Sequence, residues 1–260
     1  MADEFQADWR MAMLSDVGRM RVRNEDFVFC DEHLGIAALA DGMGGHAGGN
    51  VAARLAVDAW VQRMKKCLPG QIEERDLRVA AADANRVVYA AALSDPALRS
   101  MGTTLVVGVF RDDKLVLGHI GDSRCYRLRT GVFEQITKDH SLLQEQMDAG
   151  LITAEQAATS SIKNLVTRAL GVDESVLLEV NEHVVQVGDL YLMCSDGLSD
   201  MVDDTAIHTI VERELPLEQK ASQLIDQANE NGGRDNISVL LVEVHEAPEK
   251  RGLIARWLGK

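Results

Sequence analysis

Cysteine is scarce in this 260-residue chain. The four present, Cys30, Cys67, Cys125 and Cys194, stand singly, with no CxxC pair and no histidine at zinc-ribbon spacing. That pattern argues against a disulfide scaffold and for small, buried, reduced thiols. Long apolar runs are missing too: no stretch approaches the roughly 20 residues a membrane helix needs. The opening MADEFQADWRM carries acids where a signal peptide carries a basic region, so the expected location is cytoplasmic, with no membrane insertion. Basic residues are outnumbered, 27 Lys and Arg against 41 Asp and Glu, for a net charge of −14. A nucleic-acid partner, which needs a basic stripe to displace counterions, is excluded on that ground. No Pro/Gly/Ser-rich linker, repeat or low-complexity tract divides the chain, and 46% hydrophobic residues suffice for one large core.

What is there reads as strands and helix pairs. WRMAMLS (9–15), FVFC (27–30) and LGIAALA (34–40) are strand-like, the last apolar throughout as in a strand covered on both faces. A glycine-rich turn, DGMGGHAGG, leads into a helix over 50–67, and a second helix runs over 76–93 with Ala80, Ala84, Val87, Val88 and Ala91 on one face. TTLVVGVF, KLVLGHI, RCYRLR and VFEQIT follow at hairpin spacing, separated by RDD, GDS and TG, and predict an antiparallel meander. Residues 138–176 interrupt with short helices, one announced by the capping-box pair Thr153 and Gln156. LLEVNEHVV and LYLMCS flank a Gly188–Asp189 turn, helices are expected over 203–213 and 217–230, and ISVLLVEV closes the domain at Val244. The predicted class is α+β with antiparallel sheets, in one domain over 9–244 with a tail over 245–260.

The chemistry sits in acids at strand ends. Asp41–Gly42 follows IAALA, Asp122 follows LVLGHIG, and Asp196–Gly197 follows LYLMCS. Asp235–Asn236 precedes ISVLLVEV, and Glu25–Asp26 precedes FVFC. One such acid is an ordinary turn residue. Five sites that converge would repel one another unless cations neutralise them, and an all-oxygen donor set selects hard ions, Mg²⁺ or Mn²⁺.

SDVGRMRVRNED (15–26), LADGMGGHAGG (39–49), MGTT (101–104), GDSR (121–124), TKDHSLL (137–143), CSDGLSD (194–200) and GGRDNISV (232–239) occur in an order and spacing that resemble the metal-dependent serine/threonine protein phosphatases of type 2C, in their bacterial form. The resemblance implies two packed antiparallel sheets sandwiched between pairs of antiparallel helices. It also implies two Mn²⁺ or Mg²⁺ ions and a weaker third. Asp41 would bridge the two, the Gly42 carbonyl would bind one, and Asp196 and Asp235 would complete the second. Glu25 and Asp26 would act mainly through metal-bound waters, Asp122 would hold the third ion, and Arg21 would clamp the substrate phosphate. Spacing alone does not choose among Arg19, Arg21 and Arg23; only the family register selects Arg21. Two cations about 3.5–4 Å apart would ionise a water for in-line attack on phosphorus.

One departure concerns the leaving group. Met43 stands where animal relatives carry a histidine general acid; His46, three residues on, is a candidate proton donor but reads more readily as a cap on the helix that follows, and a bound water can serve instead. His140 reads as structural. Residues 138–176 correspond to the family's variable flap. The expected partners are phosphorylated proteins and a cognate serine/threonine kinase, and the expected state is a monomer. Two rivals are a catalytically silent phosphoprotein-binding scaffold, disfavoured because Asp41, Asp196 and Asp235 are all present, and a two-metal nuclease, disfavoured by the charge.

Overall fold

Period-two alternation sorts the strands into two stacked layers. The structure, a computed structural model, describes residues 7–44, 48–67, 72–153, 156–157, 160 and 165–246. One sheet has the spatial order β1 (Ala7–Asp16), β12 (Ile237–Glu246), β11 (Leu190–Cys194), β8 (Arg124–Arg129), β9 (Val132–Gln135). The other has the order β10 (Glu179–Val184), β7 (Lys114–Ile120), β6 (Leu105–Arg111), β3 (Ile36–Ala40), β2 (Phe27–Asp31). All neighbours pair antiparallel, and β4 (Gly42–Met43) with β5 (Gly102–Thr103) adds a short separate ladder.

Both faces of the central strands are covered, which is why they are apolar throughout. Ala37 and Leu39 of β3 meet Tyr191, Met193, Leu240 and Val242 of the opposite sheet in the inner core. The alternate residues Ile36, Ala38 and Ala40 face α1 (Gly48–Cys67) and α2 (Glu74–Ser94). On the other side, Leu192, Cys194, Val239 and Leu241 pack under α5 (Asp204–Val211) and α6 (Leu217–Glu230). Shorter helices are α3 (Leu142–Asp148) and the single turn α4 (Asp196–Ser199). A side chain such as Leu39, fully buried, contributes about 1.5–3 kcal/mol by leaving water.

The meander expected over residues 103–137 is not one. β6–β7 and β8–β9 are hairpins, but β7 and β8 lie in different sheets, and Gly121–Ser123 carries the chain across. β7 finds its second neighbour in β10 and β8 finds its own in β11, pairings set by contacts far apart in sequence. The strands either side of Gly188–Asp189 also belong to different sheets, and the first spans only Glu179–Val184. On α2 the buried stripe is Leu77, Ala80, Ala81, Ala84, Asn85, Val88 and Ala92, which leaves Val87 43% exposed at its edge. The Thr153–Gln156 capping box forms: the Thr153 amide donates to Gln156 Oε1 at 2.8 Å, and the Gln156 amide to Thr153 Oγ1 at 3.3 Å. The last strand runs two residues past Val244, and the rest of the tail lies outside the described residues.

Candidate active site

Sheet crossings put the acids together. Glu25 and Asp26 lie where the chain passes from β1 to β2, and Asp122 where it passes from β7 to β8; each step changes sheet. Asp41 leaves β3, Asp196 begins α4 after β11, and Asp235 precedes β12 at that same end of the sandwich. Arg21, Glu25, Asp41, Asp122, Asp196 and Asp235 line one cleft of about 450 Å³. A larger cavity, about 650 Å³, lies by the β6–β7 hairpin at the other end of those strands. Its five acids stand with Arg75, Arg111 and Lys114, whereas the smaller cleft sets five acids against Arg21 alone.

Polar side chains fix the acids in place. Thr104 Oγ1 accepts the Asp41 amide at 2.9 Å and bonds Ser123 Oγ at 2.8 Å, while the Thr103 hydroxyl donates to the Asp41 carbonyl at 2.8 Å. Ser195 Oγ donates to Asp26 Oδ2 at 2.9 Å and accepts the Ser238 amide at 3.0 Å. Asn236 Oδ1 accepts the Glu25 amide at 2.8 Å, and its Nδ2 donates to the carbonyls of Val17 and Arg23. MGTT and RDN are sequence motifs, but nothing local to them shows these positioning roles. Ser195 and Asn236 adjoin an acid at a strand tip, whereas Thr104 has no acid beside it in the sequence.

Glycine follows Asp41 and Asp196 because backbone closes in behind both acids. A Cβ on Gly42 would stand 2.1 Å from the Gly49 carbonyl oxygen and 2.5 Å from that of Glu25. One on Gly197 would stand 1.9 Å from the Asn236 carbonyl oxygen. The DG pairs are therefore points of close chain approach, not free turns.

Crowding raises the proton affinity of these carboxyls. Asp41 is held well above the usual carboxylate range by desolvation, then by Asp26, Asp196, Asp122 and Asp235. Desolvation, with Asp122, Asp200, Asp235 and Asp26, does the same to Asp196. Asp26 is pushed up to about 6 by burial, against hydrogen bonds from Ser238 and Ser195, and Asp122 to about 6 by burial and Asp139. Burial also raises Glu25, opposed by Arg21. Oxygen donors that resist ionisation side by side fit divalent cations of the hard class, whose charge would relieve both the desolvation and the repulsion.

Of the three candidate arginines, the structure brings Arg21 to the cleft, its Nη2 2.6 Å from Asp235 Oδ2, half-exposed at the rim. The Arg19 amide instead bonds the Gly233 carbonyl, and the Arg23 carbonyl receives Asn236. His46 lies outside the described residues. His140 is buried, does not line the cleft, and bonds the Gly121 backbone and Glu179. Leu165 and Val166, from the 138–176 segment, complete the cleft wall. All four cysteines are free thiols, with Cys125 and Cys194 buried.

Comparisons with known proteins agree with this geometry. The family model for protein phosphatase 2C matches residues 21–241. The chain is 41% identical over 238 residues to the serine/threonine phosphatase stp of Listeria monocytogenes, covering 88% of this chain and 93% of that protein. It is 35% identical to the protein phosphatase PhpP of Streptococcus pneumoniae, covering 91% and 98%. The crystal structure of the Mycobacterium tuberculosis serine/threonine phosphatase PstP/Ppp matches with a TM-score of 0.87 and 38% identity, over 92% of this chain and all of that one. A PstP catalytic domain in complex with two manganese ions matches at 0.85 and 38%, over 93% and all of that chain. Acids gathered at one end of a double antiparallel sheet, and this sequence and structural likeness, make the chain a member of the protein phosphatase 2C family.

Proposed function

We propose that this protein hydrolyses phosphoserine and phosphothreonine in proteins with Mn²⁺ or Mg²⁺ bound in the acidic cleft. The observation that carries the reading is the convergence of Asp41, Asp196 and Asp235 in one cleft with Arg21 at its rim. Asp41, the Gly42 carbonyl, Asp196 and Asp235 would hold two ions, with Glu25 and Asp26 behind them and Asp122 facing a weaker third. When bound, such ions supply a water acidic enough to ionise near neutral pH and positive charge against the phosphoryl oxygens. Arg21 supplies a planar guanidinium suited to two phosphate oxygens, and it exchanges its contact with Asp235 for one with substrate. Asn236, Thr104 and Ser195 keep the carboxylates at fixed positions, so little reorganisation is needed as charge develops. Residues 138–176 act as a flap that borders the cleft through Leu165 and Val166.

Its cellular counterpart would be a serine/threonine kinase, and its compartment the cytoplasm, where free thiols persist. No helix among the described residues is long and apolar enough to cross a membrane. The test is release of phosphate from a phosphothreonine peptide. Turnover should require Mn²⁺ or Mg²⁺, vanish in excess EDTA and return with added Mn²⁺. Undiminished turnover in metal-free buffer would refute the reading.

A further inference from the structure

β7 ends at Ile120 and β8 begins at Arg124, so the chain between them passes from one sheet to the other outside either ladder. Residues 121–123 are buried there, and their backbone polar groups need partners from elsewhere. Gly121 has a φ of +102°, and a Cβ on it would stand 2.5 Å from Thr104 Cγ2. Thr104 also accepts the Asp41 amide, so the turn that presents Asp122 rests on the same side chain that fixes Asp41.

His140 grips Gly121 twice. Its amide donates to the Gly121 carbonyl at 2.9 Å, and its Nδ1 accepts the Gly121 amide at 3.2 Å. An amide can only donate, so Nδ1 holds the lone pair and Nε2 the proton, which faces Glu179 Oε2 at 3.3 Å. The buried ring stacks on that of His119, with centroids 4.7 Å apart and planes at 13°. His119 in turn donates through Nε2 to the Lys138 carbonyl at 2.8 Å, which keeps the stack beside the segment that carries His140. The main chain of that segment holds the flap. The His140 carbonyl accepts the Thr167 amide at 2.8 Å, and the Leu142 amide donates to the Leu165 carbonyl at 2.9 Å. Leu165 and Val166 are the residues that wall the cleft.

We infer that His140 is a positioning residue: its neutral imidazole fixes the Gly121–Asp122 turn while its backbone fixes the Leu165–Thr167 wall, so one residue sets both the acid facing the weaker third ion and the flap. The inference rests on the phosphatase reading above and adds what places Asp122 within it. An ion held by one carboxylate and mostly water depends on where that carboxylate stands, because few fixed charges repay its dehydration. Partners that orient a metal ligand are typically worth about 10- to 100-fold in affinity. Only the ring contacts are particular to histidine, since any residue can make the backbone bonds. Asparagine places an acceptor oxygen where Nδ1 stands. Glutamine, one carbon longer, carries its amide out to the position of Nε2 and leaves Gly121 without an acceptor.

The experiment compares His140→Asn and His140→Gln in the full chain. Without metal, hydrogen exchange at the Gly121 amide should stay slow in wild type and His140→Asn. In His140→Gln it should run about 10-fold faster, beyond any change at the Leu39 amide, because a buried donor has lost its acceptor. A Mn²⁺ titration followed by water-proton relaxation should show the weakest site, the one that Asp122→Ala removes. Its affinity should fall roughly 10- to 100-fold in His140→Gln and recover in His140→Asn, and the late rise of turnover with Mn²⁺ should shift in step. A role in stability alone would lower the melting temperature of both variants and leave the Mn²⁺ midpoint in place. Gly121 exchange or weakest-site affinity unchanged in folded His140→Gln, or a weakest site that survives Asp122→Ala, overturns the inference. Should the variants not fold, nitrogen NMR of the wild type decides: His140 Nδ1 must resonate as an unprotonated acceptor, and a protonated Nδ1 refutes the role. A wild type that releases no phosphate with any divalent ion refutes the phosphatase reading instead, while exchange and relaxation still decide this one.

Discussion

At the scale of single residues, the cleft divides into groups that carry charge and groups that hold them. Arg21 is of the first kind, half-exposed and paired at the rim with Asp235. Removing a charge-assisted hydrogen bond to substrate costs about 1.5–3 kcal/mol, so Arg21→Ala should lower kcat/KM by roughly 10- to 150-fold. Steady-state kinetics on a phosphopeptide should show KM raised and kcat lowered together, with Arg19→Ala and Arg23→Ala near wild type; a larger loss in either control would move the phosphate contact to that residue. Thr104 is of the second kind. Thr104→Val leaves the Asp41 amide and the Ser123 hydroxyl without their partner in a fully buried place, at about 1–3 kcal/mol of stability. Its melting temperature should drop and its affinity for Mn²⁺ weaken, and Thr104→Ser should restore both. A Thr104→Val protein with wild-type melting and calorimetric Mn²⁺ binding would show that the hydroxyl does not position Asp41.

At the scale of elements, local signals and long-range pairing separate what could be read in advance from what could not. Asp41, Asp122, Asp196, Asp235 and Glu25–Asp26 were legible because each adjoins an apolar run, and an acid cannot continue a strand buried on both faces. The motif register added Arg21 from among three arginines that spacing could not separate. The passage from β7 to β8 was not legible, because GDS is also good hairpin punctuation and its true geometry depends on β10 and β11, some 60 residues on. Thr104, Ser195 and Asn236 were missed for a related reason: their partners, 63, 169 and 211 residues away, leave no trace in the local pattern. Asn85 is a further case, a polar residue in the middle of the buried stripe of α2. Its Oδ1 accepts the Gly171 amide at 2.7 Å, and its Nδ2 donates to the carbonyls of Asp173 and Glu174. One side chain thereby anchors the returning end of the 138–176 segment to a helix. Asn85→Ala should cost about 3 kcal/mol through unmade buried hydrogen bonds. Limited proteolysis within 165–176 should accelerate by more than the global loss of stability explains. Cleavage no faster than in an equally destabilised core variant such as Leu39→Ala would remove Asn85 from that role.

At the scale of the whole molecule, the same acids that fit cations oppose the fold when cations are absent. A carboxyl in the unfolded chain titrates near 3.9. Asp26 and Asp122 in the fold titrate at about 6, and Asp41 and Asp196 are also held well above the usual range. Between those limits the native state binds more protons than the unfolded state, so stability falls as pH rises through the window and stays low above it. Divalent ions reverse this by binding the ionised form. At 100 times its Kd an ion adds about 2.7 kcal/mol per site, worth roughly 5–10 °C in a domain of this size. The sharper expectation concerns a variant. Asp196→Asn keeps the shape of the side chain and removes one charge from the cluster, so in EDTA at pH 7.5 it should melt above the wild type. At pH 5 more of the wild-type carboxyl, whose proton affinity the fold raises, carries its proton, so that advantage should shrink. The variant should also lose most of its stabilisation by Mn²⁺ and at least ~10³-fold in turnover, since a ligand of the proposed centre is gone. Melting curves of the two proteins at both pH values, with and without Mn²⁺, give the comparison. An Asp196→Asn protein less stable than wild type in EDTA at pH 7.5 would mean that hydrogen bonding, not charge repulsion, governs this cluster. The ordering expected here instead makes function the source of instability: the cleft is assembled from charges that the fold tolerates only in company with ions.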